Sequence, residues 1–238
     1  MSALLFSVLI LSTGYPHLFS DHSVINRFGV LSFVSWRNLT SYEPYLALSF
    51  FGEAEFLKMF GLRLDFPFGY DLKKSILKFS DFSADLKFNP VDLVLSPTFI
   101  LSFEFPTGST PFSQRRIIIS PQAYFKFDVA FLKLDFILGA NFSPEKKEEV
   151  NLLYPHTTKN EVFLFSGYFF DVAPKILSAG IRIGGIYEDF SRFVFQPSAH
   201  LVLSVLFLDF DVFAVGNFGQ NGNVRQGYEL GGFLSFKF

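Results

Sequence analysis

The chain has 238 residues, no cysteine and a formal net charge of -2. That balance excludes a strongly basic nucleic-acid footprint, so no nucleic-acid partner is expected. The missing thiols exclude disulfides, thiolate catalysis and cysteine-based zinc sites. Half of the residues are apolar, yet no apolar run approaches the roughly 20 residues of a spanning helix. The apolar residues must therefore be spread over short alternating segments. Phe takes 36 positions against one Trp, more than a soluble core of this size calls for. A lipid-facing barrel exterior with aromatic girdles uses Phe in this way. The competing reading is a Phe-rich soluble sandwich, which alternates with the same period.

At the amino end, Ala3 to Leu11 is apolar apart from Ser7, and Ser12, Thr13 and Gly14 follow as small residues. The pattern predicts a secretory signal peptide over residues 1–20, with the remaining chain, 24–238, as one β domain. No Lys or Arg precedes the apolar stretch, so either the true start lies upstream or the signal is weak. A buried or disordered amino-terminal plug is the other reading.

Twelve alternating segments follow. The first, Ile25 to Trp36, sets Phe28, Val30, Val34 and Trp36 on one face. The second, Tyr42 to Gly52, turns Leu46, Leu48 and Phe50 outward and ends at a short connection, Glu53 to Glu55. The third, Phe56 to Phe68, opposes Phe60, Leu62, Leu64, Phe66 and Phe68 to Arg63 and Asp65. A longer connection is expected over Gly69 to Phe79. The fourth, Ser80 to Asn89, alternates Phe82, Ala84, Leu86 and Phe88 with Ser83, Asp85, Lys87 and Asn89. In the fifth, Asp92 to Phe105, Pro97 falls in the outward register, which predicts an irregularity there.

Pro106 to Arg116 reads as a loop. The sixth and seventh segments form the clearest hairpin. Ser120, Gln122, Tyr124 and Lys126 face inward on one, and Lys133, Asp135, Gly139 and Asn141 on the other. Ser143 to Asn160 is the longest polar connection. The eighth segment, Glu161 to Val172, is aromatic on both faces, so its register stays open. The ninth, tenth and eleventh segments lie near Leu177 to Tyr187, Phe193 to Val205 and Leu208 to Phe218. The last begins near Tyr228.

Long polar connections near residues 38, 73, 110, 150, 190 and 222 alternate with short turns near 54, 90, 129, 174 and 206. Bacterial barrels have long outer loops, short periplasmic turns and an even strand count. The expected fold is all-β: an antiparallel 12-stranded transmembrane β-barrel. Its lumen would be lined by Arg63, Asp65, Asp85, Lys87, Glu104, Lys126, Lys133, Asp135, Arg182, His200, Asp209, Asp211 and Glu229. These are the candidate selectivity residues. Inward Phe131, Phe213 and Phe233 would occlude it under an alternative, structural or adhesive reading.

The last strand places Tyr228, Leu230, Leu234, Phe236 and Phe238 on one face, with Gly232 between them. It resembles the terminal recognition strand of bacterial outer-membrane barrels. The resemblance implies insertion by the barrel-assembly machinery into the outer membrane of a Gram-negative-type bacterium. A second resemblance rests on Phe82 to Lys87 followed by Phe105, Pro106, Thr107 and Gly108. These stretches are similar to the G-D-L and P-T-G motifs of the phenol-degradation (meta-pathway), transporter-like outer-membrane family, with Ala84 in place of the Gly before Asp85. That resemblance implies passage of small, aromatic or apolar solutes and carries no catalytic residues.

His200 is the one His of the four within a strand, beside Ser198 and Ser204 on the polar face. A lipid-modifying barrel enzyme needs such a pair on the exterior; a hydrogen-bonded lumen His is the favoured reading, so no catalytic residue is assigned. No metal site and no cofactor is expected. Arg115 with Arg116 and Lys73 with Lys74, in outer loops, are candidates for lipopolysaccharide phosphates, with solvated loop charge as the favoured reading. Outer-membrane lipid and a small-molecule solute complete the expected partners.

Overall fold

The computed structural model describes residues 26–37, 44–57, 59–72, 74–90, 97–110, 112–113, 115–129, 131–144, 160–174, 176–188, 190, 192–219 and 227–238. The proposed signal segment, 1–20, and the Glu/Lys run at 145–149 lie outside the described residues. The elements are β1 (Arg27–Arg37), β2 (Tyr45–Phe56), β3 (Phe60–Asp71), β4 (Ile76–Phe79), β5 (Phe82–Phe88), β6 (Thr98–Phe105) and β7 (Ile118–Val129). They continue with β8 (Leu132–Phe142), β9 (Asn160–Ala173), β10 (Leu177–Glu188), β11 (Arg192–Phe195), β12 (Ser198–Val205), β13 (Leu208–Asn217) and β14 (Gly227–Lys237).

All pairings are antiparallel, and β1 pairs with β14, so the sheet closes on itself. β4 and β5 both pair with β3 and act as one stave, as β11 and β12 do against β10. The fourteen strands therefore make a closed barrel of twelve staves.

Proline explains the breaks. Pro67 has no N–H to return to the ladder, and the neighbouring stave is interrupted opposite it, at Ser80 and Asp81. Ser80 N still donates to the Pro67 carbonyl at 2.8 Å. In the other stave Pro197 lies within the break itself, between β11 and β12.

Among the described strands, no Asp, Glu, Lys or Arg occupies the outward register. Phe50, Phe66, Leu86, Phe99, Leu138, Leu164, Phe170, Ile181, Leu201 and Leu230 are exposed there. A charge at such a position costs roughly 2–4 kcal/mol at the bilayer midplane, which explains the strict alternation. Aromatic belts flank this band. At the short-turn end, Phe60 stacks between Phe56 and Phe88, and Phe28 stacks on Phe236. At the loop end, Tyr187 meets Phe193 and Phe218 meets Tyr228.

Several boundaries correct the sequence reading. Glu53 to Glu55 is strand, because Glu53 pairs with Arg27 across β1 and β2; the turn falls at Leu57 to Met59. The connection over 69–79 is a tight hairpin between β3 and β4, and the one near 190 spans only residues 189–191 between β10 and β11. β5 ends at Phe88 and β6 is described from Thr98; the expected start of the fifth segment at Asp92 lies outside the described residues. Pro97 precedes β6.

Candidate functional site: a lumen with two walls

The alternation that turns Phe and Leu to lipid turns the charged residues inward, and all thirteen predicted residues stand in the inward register. They separate into groups. On β1 to β6 the side chains form an ionic wall. Arg27 donates from Nε and Nη2 to Glu53 Oε2 at 3.0 and 2.9 Å, and Lys87 Nζ reaches Glu53 Oε1 at 2.7 Å. Glu53 thus bridges two cations from different staves. Arg63 forks onto Asp65, with Nε to Oδ2 at 2.6 Å, and its guanidinium lies 4.6 Å from the centre of the Phe51 ring. Asp85 faces Arg63 across the β3–β5 pairing, and Glu104 faces Ser83 one stave on. Every one of these side chains is buried. Buried charges demand partners, so the Arg27–Glu53–Lys87 set and the Arg63–Asp65 pair are each mutually dependent.

A second polar group spans β8 to β13. Arg182 donates to Asp135, its Nε to Oδ1 at 3.2 Å, reaching across β9 at Gly167, where no side chain stands between them. His200 lies between Ser198, 3.0 Å from Nε2, and Asp211, 3.0 Å from Nδ1. The Phe169 and Phe213 rings flank it at 5.8 and 6.1 Å. The relay faces the lumen and is buried, whereas a lipid-modifying site requires the exterior. Near the short turns, Lys133 pairs with Asp171, and Asp209 takes Lys237 at 2.7 Å and Ser204 at 2.6 Å. Lys126 lies 3.8 Å from Asp128. Glu229 accepts from Asn217 at 3.3 Å.

Between these groups sits an apolar cluster, Tyr124, Ile137, Phe163, Phe165 and Ile186, each almost fully buried. Beside it, a cavity of about 20 Å³ lined by Tyr124, Lys126, Lys133, Asp135, Phe169 and Ser178 has room for one water. Phe213 and Phe233 are inside as expected, both 1% exposed. Phe131 is not: it sits on the β7–β8 turn at 67% exposure, because the inward alternation begins only with β8. The open register of the eighth segment resolves with Glu161, Phe163, Phe165 and Phe169 inward.

Sequence reasoning missed Arg27 and Glu53, although continuing the period of β1 and β2 would have placed both inside. It also missed Phe112, a loop residue with no periodic signal. Arg115 and Arg116 do not form a surface pair, since Arg116 is buried at 2% exposure. Among the described residues, no group of three or more His, Cys, Asp or Glu could hold a metal ion. Tyr228, Leu230, Leu234, Phe236 and Phe238 lie on the outer face of β14 and at its end.

A closed twelve-stave barrel with an apolar belt outside and charge inside is a transmembrane barrel of the outer-membrane type. No family model and no curated protein matches the sequence. Among solved structures the chain is similar to the COG4313 outer membrane channel from Pseudomonas putida F1. The TM-score is 0.66 at 12% identity, over 92% of this chain and 97% of that one. It is also similar to the KdgM porin in complex with disordered oligogalacturonate, with TM-score 0.59, 10% identity, and 88% and 99% coverage. For the NanC porin the values are 0.60, 6%, 88% and 99%. At these identities the likeness shows the fold.

Proposed function

We propose that the protein is an outer-membrane channel for passive uptake of small solutes, and not an enzyme. The observation that carries this reading is the ionic wall. A barrel does not need buried charge to stand, because well-packed apolar residues of similar volume are often as stable or more so. Charges of both signs lining a passage select solutes by field and width. The structural neighbours, an outer membrane channel and two porins, support the same reading. The resemblance of the Phe82–Lys87 and Phe105–Gly108 stretches to the phenol-degradation family suggests small aromatic or apolar solutes. In this reading the exterior of β14 is the insertion signal read by the assembly machinery, and exposed outer-loop cations meet lipopolysaccharide.

The Tyr124 cluster, with Phe213 and Phe233, favours a second reading: a barrel filled by its own side chains, with a structural or adhesive role. Single-channel conductance of the refolded chain in planar bilayers separates the two. Discrete ohmic steps whose ion selectivity shifts on Lys87→Gln support the channel. Silence from folded, inserted protein sinks it in favour of the filled barrel.

A further inference from the structure

The β6–β7 connection does not stay outside the barrel. Residues 106–110, with 112 and 113, lie along the break between β4 and β5. Phe82 N donates to Thr107 Oγ1 at 2.9 Å, Gly108 N to Asp81 Oδ1 at 3.0 Å, and Ser109 N to the Phe79 carbonyl at 3.0 Å. Lys78 Nζ reaches the Thr110 carbonyl at 2.7 Å, and Ser80 Oγ donates to the Phe112 carbonyl at 2.6 Å. A Cβ on Gly108 would stand 2.6 Å from the Ser80 carbonyl carbon and 2.9 Å from the Asp81 nitrogen, so only glycine fits this close approach. The two stretches singled out in the sequence, at 82–87 and 105–108, therefore meet in space.

The strap delivers one apolar side chain to the lumen. The Phe112 ring is 1% exposed, 6.0 Å from the Tyr45 ring and laid flat on Gly69. Tyr45 and Gly69 are inward residues at the loop ends of β2 and β3. Phe112 thus stands over the loop-side mouth of the ionic wall. The break at Ser80 and Asp81 has a use: groups released from the ladder hold the strap.

We propose that Phe112 is the size-limiting constriction of the channel and that Ser80 and Asp81 are the latch that holds it there. This rests on the channel reading above. A solute reaching the ionic wall from the loop side must first pass an apolar ring, so the constriction favours solutes with an apolar face over hydrated ions.

The test uses the absence of native cysteine. The Phe112 Cγ lies 2.5 Å from the position a Cβ at residue 69 would take. The Cβ atoms of a Gly69→Cys/Phe112→Cys pair then fall within about 4 Å, the range a disulfide spans. The full chain carrying both substitutions, refolded and checked for heat-modifiable gel mobility, is expected to form that disulfide under mild oxidation. Separately, Phe112→Ala is expected to raise single-channel conductance about twofold or more by removing an apolar constriction. Absence of the disulfide in folded barrels overturns the placement of Phe112. Equal conductance of wild type and Phe112→Ala overturns the constriction while leaving the channel standing. Silence from both, in barrels whose disulfide forms, overturns the channel and the constriction together.

Discussion

On the β1 to β6 side of the lumen the inward positions carry Arg27, Glu53, Arg63, Asp65, Asp85, Lys87 and Glu104. On the β7 to β10 side an apolar cluster, Tyr124, Ile137, Phe163, Phe165 and Ile186, stands beside the Asp135–Arg182 and Lys133–Asp171 pairs. Both walls obey the same alternation and both are buried, yet they are held by different physics. In the ionic wall Arg27 and Lys87 depend on Glu53, and Arg63 on Asp65, so the loss of one leaves another charge buried alone. In the apolar wall each member contributes volume, and a neighbour or water can take up part of a loss. The first wall is brittle and chemically selective; the second is compliant and mainly fills space.

The sharpest way to break this contrast is Glu53→Leu. It strands Arg27 and Lys87 at once, and the expected cost is about 3–5 kcal/mol, read from urea unfolding in lipid vesicles. A loss below about 1 kcal/mol would mean that the wall behaves as a hydrated surface and that the contrast is false. Phe165→Ala on the other wall is expected to cost about 3 kcal/mol, at the low end for a buried Phe because the space opens to a lumen. In the same variant, single-channel conductance is expected to stay close to wild type, because the constriction lies at Phe112; a large rise would show that this wall limits passage instead.

Gly167→Leu tests the pair that spans β9. It drives a side chain into Asp135, and an overpacking loss of about 1–3 kcal/mol is expected, with a shift in ion selectivity as Arg182 loses its partner. Unchanged selectivity would place the Asp135–Arg182 pair outside the conducting path. The smallest effect is expected outside the lumen. Lys74 approaches Asp71 only to 3.9 Å and is exposed, so Lys74→Ala should stay within about 0.5 kcal/mol of wild type.

The ionic wall was legible because charge on one face of an alternating segment has few destinations when the other face is Phe and Leu. Asp85 and Lys87 between Leu and Phe neighbours are the clearest instance. The apolar wall was illegible for the complementary reason. In β9 both faces are aromatic, so period alone cannot distinguish Phe163 and Phe165, which fill the lumen, from Leu164 and Tyr168, which face lipid. Glu53 was lost at a strand end, where a charged residue reads as turn. Phe112 was lost because a side chain carried by a loop has no register; only the hydrogen bonds of the strap place it. Pro67 was visible in the sequence, but its effect falls on another stave, at Ser80, and appears only once the strands are paired.

The seam between β1 and β14 has a consequence for how the protein comes into being. It joins residues 27–37 to residues 227–237, the most distant pairing in the sheet along the chain. Contacts so remote carry the largest loop-closure cost and form late. Before they form, β1 and β14 each present a row of bare amides and carbonyls, and hydrocarbon penalises every such group by several kcal/mol. A barrel short of this one pairing cannot rest in the bilayer. Entry into the membrane and completion of the circle are therefore a single all-or-none event, and quality control meets the chain either finished or not yet embedded.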